Sequence, residues 1–150
     1  MKLILNKKYN PLFESDARYF IITGGRGSGK SFAATVFLTL LTMTKGIRIL
    51  FTRYTMTSAH LSIIPEFLEK IGLLGFDEIF SINKSEVLNT SNQSDILFRG
   101  IKTSAGNQTA SLKSLQGISC WVLDEAEELI DEDIFDTIDL SIREKDIQNR

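Results

Sequence analysis

The eight residues Gly24-Gly-Arg-Gly-Ser-Gly-Lys-Ser31 fit the pattern G-x-x-x-x-G-K-[ST], and each position has a chemical use. Glycines lack a Cβ, so successive backbone N–H groups can turn inward and approach phosphate oxygens. A helix opening directly after the loop would add its own N-terminal amides and the positive end of its dipole. Lys30 supplies a flexible point charge for β- and γ-phosphates, and the Ser31 hydroxyl suits a magnesium ion. The nucleotide-binding set read from the sequence is therefore Gly24, Gly25, Arg26, Gly27, Ser28, Gly29, Lys30 and Ser31.

A second constellation lies at Trp121-Val-Leu-Asp124-Glu125. Asp124 ends an apolar run, where a strand-end carboxylate can meet the same magnesium through water. Glu125 can orient and deprotonate an attacking water. An Asp-Glu pair alone is a common strand end; paired with the glycine loop at this separation it becomes a signature. Such a paired acid marks the ATP-hydrolysing branch of P-loop proteins, whereas small GTP switches lack the glutamate. Arg26, inside the loop, has two readings. Its guanidinium could stabilise transition-state charge beside the γ-phosphate, or it could hold carbonyls or a carboxylate as a structural residue. Glu127, Glu128, Asp131, Glu132 and Asp133 extend the acidic run and read as a solvated helix start favoured by the helix dipole.

These side chains need a scaffold. Arg18 to Gly24 reads as a buried strand delivering the loop, and from Lys30 the positions Ala33, Val36, Phe37, Leu40 and Leu41 follow helical spacing. Lys45-Gly46 reads as the helix stop, and Ile47 to Arg53 as a second strand. Strand, loop, helix, strand is a βαβ unit, which predicts a mainly parallel sheet. Ser58 is placed to cap a further helix burying Leu61, Ile64, Leu68 and Ile71, kinked or split at Pro65. Ile79 to Ile82, Glu86 to Leu88 and Asp95 to Ile101 read as a small antiparallel insertion decorating that sheet, with a polar stretch, Lys102 to Gln108, after it. Ile118 to Leu123 is a strand buried on both faces. A last helix from near Asp131 buries Ile134, Phe135, Ile138 and Ile142.

The chain has 150 residues, enough for one ordinary core. Its longest apolar stretch, near Phe32 to Met43, is interrupted by threonines and falls short of the ~20 residues of a membrane span. The N-terminal apolar run is three residues long, so no signal peptide is read and a cytosolic setting is expected. With one cysteine, Cys120, and one histidine, His60, the usual soft-ligand zinc site is excluded. Cys120 reads as a packed strand thiol. Residues 1–75 carry ten Lys/Arg against four Asp/Glu, and residues 76–150 carry seven against fifteen. A basic half could serve polyanions, or the surface charge could simply be uneven.

Gly24 to Ser31 with an arginine inside resembles the phosphate loop of the large terminase subunit of tailed double-stranded DNA phages. Ile49-Leu-Phe-Thr-Arg53 followed by Ser58, Phe98-Arg-Gly-Ile101, Leu112-Lys-Ser-Leu-Gln-Gly-Ile118 and Trp121 to Leu129 are similar to other marks of that family, in order, from about Tyr9 to Arg143. The resemblance implies an α/β fold of the P-loop NTPase type (RecA-like, ASCE), with a mainly parallel sheet flanked by helices. It implies an ATPase using ATP and Mg2+ that pumps double-stranded DNA into a capsid. The partners implied are the portal protein and a small terminase subunit; the working form is a ring homo-oligomer in the host cytoplasm, with no membrane. It also implies that Arg26 is catalytic beside Glu125 and Lys30, with Ser31 and Asp124 on the magnesium.

The family continues into a coupling motif on a further strand and then a nuclease domain, whereas this sequence stops at Arg150. The expectation is thus a single ATPase domain cut before the coupling strand, without nuclease activity. The slot between strands 18–24 and 118–123 would then stand empty or take a neighbour's strand. Two other readings remain: a nucleotide-binding fragment without useful turnover, and the ATPase core of a phage helicase or recombinase.

Overall fold

A proline at the first helical position opens a single turn, α1 (Pro11–Glu14), in the computed structural model of the chain, which describes residues 3–56, 59–103, 106–107, 112 and 114–142. Residues 18–24 depart from expectation, because they belong to no strand of the sheet. They keep a strand's alternation. Phe20 and Ile22 pack toward Tyr9, Leu12 and Ala33, while Tyr19 and Ile21 face solvent. What they lack, among the described residues, is a neighbouring strand to complete a ladder.

Helix α2 (Lys30–Leu41) follows the glycine loop as expected but stops before Lys45-Gly46. Its last carbonyls are claimed early: the side-chain amides of Asn89 and Asn92 both donate to Thr42 O, at 3.1 and 2.9 Å. Gly46 instead turns the chain at φ 80° into strand β1 (Arg48–Arg53). Helix α3 (Ala59–Leu74) runs through Pro65 without splitting. Pro65 is exposed, so water can reach the carbonyl its missing N–H leaves open. The buried face is also rotated from the expected one. Ile63, Ile64, Phe67 and Ile71 are inside, while Leu61 and Leu68 are exposed. The driver is Phe67, whose ring lies 6.0 Å from Phe51 and 5.4 Å from Phe98. The Ser58 cap falls outside the described residues.

Strands β2 (Phe80–Ile82), β3 (Glu86–Asn89) and β4 (Asp95–Gly100) follow, then a hairpin of β5 (Lys102–Thr103) and β6 (Gly106–Asn107), and finally β7 (Cys120–Asp124). The main sheet has the order β2-β3-β4-β1-β7. β4 pairs antiparallel with β3 but parallel with β1, so it is not part of a decoration. Its apolar run Ile96-Leu97-Phe98 is buried on both faces, the mark of a central strand. The antiparallel addition is therefore β2 and β3 alone.

Alternation on β1 divides the core. Ile49 and Phe51 join Ile63, Ile64, Phe67 and Ile71 of α3 on one face. Leu50 joins Ile134, Ile138 and Ile142 on the other, under helix α4 (Glu132–Asp139). The result is an α/β fold, a five-stranded mixed sheet with helices on both faces. Asp131 caps α4 by accepting from Ile134 N at 3.2 Å, so the acidic run starts this helix as read. Phe135, expected inside, is partly exposed and lies against Trp121. No described helix is long and apolar enough to cross a membrane.

Candidate functional site

Residues Gly25–Ser31 of the loop, with Phe32, line an open cavity of about 330 Å³. Gly29, the N-cap of α2, has φ 82°, a left-handed conformation that side chains disfavour. Having no side chain, it also leaves the first amides of α2 without a side-chain cap. Gly24 permits a second close approach, since a Cβ there would meet Ser28 Oγ at 3.1 Å. Lys30 folds back over the loop, its Nζ donating to Gly24 O at 2.6 Å and Gly25 O at 3.3 Å. Ser28 Oγ is buried with no hydrogen-bond partner, a costly state for a hydroxyl and one that an anion oxygen would relieve. Arg26 is exposed and makes no hydrogen bond or ion pair among the described residues.

Asp124 and Glu125 come from β7, and the sheet register decides their partner. Arg53, the last residue of β1, lies directly opposite Asp124. Its Nη2 and Nε reach Asp124 Oδ2 at 2.5 and 3.2 Å, and its Nε lies 3.4 Å from Glu125 Oε2. Burial alone would lower the Arg53 pKa. The Asp124 carboxylate outweighs that effect, with Glu125 and Glu128 adding to it, and raises it above its ordinary value. Buried Thr52 ties the two strands just before this point, accepting from Trp121 Nε1 at 2.8 Å and donating to Val122 O at 2.9 Å. Glu125 adopts φ 53° and ψ 50°, an uncommon backbone for a residue with a side chain.

The glycine loop and the acid pair are thus positioned separately, and α3 packs against the residue after the loop while its Glu66 feels the charge of Asp124. Lys70 Nζ sits 4.8 Å from the ring centroid of Phe32, the residue after Ser31. Glu66, one turn earlier, has its carboxyl pushed up, first by burial, with Lys70 opposing and Glu69 and Asp124 adding to the rise. The donors fit the group they would serve. A serine hydroxyl and a carboxylate are hard oxygen ligands, and magnesium commonly takes only one or two protein carboxylates beside phosphates and water.

Four residues around these groups escaped the sequence reading. Tyr9 donates its hydroxyl to Ser28 O at 2.8 Å and packs its ring at Gly29. Arg53 was legible as a strand end but not as the partner of both acids. Lys70 and Glu66 gave a faint signal, a charged i, i+4 pair within a mostly apolar helix that also carries Glu69.

Against known proteins, the family model described as phage terminase large subunit matches residues 16–150 of the chain. No curated protein matches it.

Proposed function

The chain belongs to the phage terminase large subunit family, and from that premise we propose that it is the ATP-binding and hydrolysing motor portion of a DNA-packaging machine. Its fold is then a P-loop NTPase of the RecA-like, ASCE type. The observation that carries the reading is the loop Gly24–Ser31 running into an α2 N-terminus without a side-chain cap.

In this reading the loop amides and the start of α2 cradle the phosphates of ATP. Lys30 exchanges the carbonyls of Gly24 and Gly25 for β- and γ-phosphate oxygens. Ser31 and Asp124 would hold a magnesium ion, which when bound offsets phosphate charge. Glu125 takes the proton of the attacking water. Arg26, uncommitted to any protein group among the described residues, stabilises charge developing on the transferred phosphoryl group. Arg53 keeps Asp124 and Glu125 apart in orientation and balances their charge. Double-stranded DNA is the translocated substrate. The portal protein and small terminase subunit are partners of a ring assembly in the host cytoplasm.

The test is magnesium-dependent ATP hydrolysis by the chain, with and without double-stranded DNA. Stimulation by DNA, abolished in Lys30→Ala without loss of fold, is the expected result. A second reading, nucleotide binding without turnover, has one observation in its favour: residues 18–24, which deliver the loop, are not built into the sheet. ATP binding without hydrolysis would select it. Hydrolysis undiminished in Lys30→Ala would remove the site assignment altogether.

A further inference from the structure

Lys70 is a cation 4% exposed, and nothing in the hydrolysis scheme uses it. Burying an ammonium is costly unless partners replace its water. Its ion-pair partner is Glu69, whose Oε2 lies 2.8 Å away on a side chain that is 63% exposed. Its second contact is the face of Phe32, at 4.8 Å. Phe32 follows Ser31 and borders the loop cavity, so the buried charge packs on a ring that belongs to the cavity lining.

We propose that Lys70 is a fixed positive charge behind the glycine loop, which strengthens binding in proportion to the negative charge of the polyphosphate held there. This deepens the reading of residues 24–31 as a phosphate site and rests on it. The two charges of the Lys70–Glu69 pair do not cancel at the cavity. Glu69 faces water and is screened by it, whereas the Lys70 field passes through poorly hydrated protein. Glu66, the other carboxylate of this helix face, is within electrostatic reach of Asp124, so its charge bears on the acid half of the site. Lys70 touches no substrate atom in this scheme; it is a positioning and field-setting residue. The plainer alternative is a lysine that packs its stem and pairs at the rim. That role would affect all nucleotides equally.

The experiment measures binding of ATP, ADP and AMP to the full chain in magnesium-free, low-salt buffer, where the ligands differ by one charge per phosphate. Lys70→Met is expected to weaken ATP about tenfold, ADP less and AMP least, in line with an electrostatic effect of modest size. Lys70→Arg should keep most of the affinity, since a guanidinium stacks on the same ring. Glu69→Gln removes only a charge that water screens, so it should leave ATP affinity nearly unchanged. The melting temperature of Lys70→Met should hold or rise, because replacing a buried charge by an apolar side chain is often neutral or stabilising. In Lys70→Met, equal losses for the three nucleotides, or an unchanged ATP affinity, would overturn the proposal. If Lys70→Met does not fold, the same comparison of ATP, ADP and AMP on Lys70→Gln, which keeps a polar end beside Glu69, decides in its place. A wild-type chain that binds no ATP removes the loop reading and this inference together. Wild-type binding with no charge dependence across the variants removes only this inference.

Discussion

At the scale of single residues, the acid pair is defined as much by Arg53 as by its own spacing. The guanidinium bonds Asp124 closely and Glu125 at longer reach, so the two carboxylates meet one cation with different grip. That difference matches the proposed division of labour. Glu125→Gln keeps the shape and loses the base, so ATP binding should persist while turnover falls by roughly 10²–10⁴. Asp124→Asn should instead weaken magnesium-dependent binding. Binding and turnover measured on both variants check this, and equal loss of binding in both would sink it. Arg26 is tested by the same separation. Arg26→Ala should lower turnover far more than affinity, as expected of a contact made only in the transition state. Arg26→Lys should restore little, because a point charge lacks the planar fork. A variant that turns over normally but melts earlier would return Arg26 to a structural role. The loop and the acids could be singled out from the sequence because each set occupies neighbouring positions. The role of Arg53 was not, since it depends on a register between strands far apart in sequence.

At the scale of elements, legibility tracked how local the deciding force was. α2 and α4 start where their sequences predict, because an N-terminus is set by its own few residues. The end of α2 and the face of α3 are decided by distant partners, namely the Asn89 and Asn92 amides and the Phe51–Phe98 surface. β4 was misread for the same reason: its parallel partner β1 lies 47 residues back, with Arg48 opposite Asp95. That pair also fastens the end of the sheet remote from the site. Asp95 is 2% exposed, and Arg48 Nε lies 3.1 Å from each of its carboxylate oxygens. Burial nonetheless lifts the Asp95 carboxyl above its ordinary value of 3.8, with Arg48 only partly offsetting it. The folded state therefore holds this proton more tightly than the unfolded chain. Its contribution to stability is full below the ordinary value and is lost as pH rises through the raised one. Urea melts across the acidic range should show this decline in the wild type and its absence in Asp95→Asn, whose neutral side chain still offers Arg48 an acceptor oxygen. An identical pH slope in both proteins would contradict the assignment.

At the scale of the whole molecule, the basic and acidic halves of the sequence do not form separate lobes. β1 from the first half lies between β4 and β7 from the second, so opposite charges are interleaved across one sheet. The asymmetry that matters is at the sheet's edge. β7 has β1 on one side and no strand on the other among the described residues. Residues 18–24 are tied to α4, since Arg18 and Tyr19 both donate to Asp139, and Phe135 of the same helix lies against Trp121 of β7. Two large apolar side chains stand in water on the surface, Ile21 at 89% and Ile130 at 93% exposure. An open edge with apolar side chains is a template for another chain. The chain should therefore self-associate with rising concentration, as followed by sedimentation velocity. Ile21→Lys should shift it toward monomer, because a charge in place of an exposed apolar side chain opposes association. Surface substitutions of this kind usually change stability by within about 0.5 kcal/mol, so the melting temperature should barely move. A monomer at all concentrations, or association indifferent to Ile21→Lys, would mean that this edge is not the surface through which copies meet.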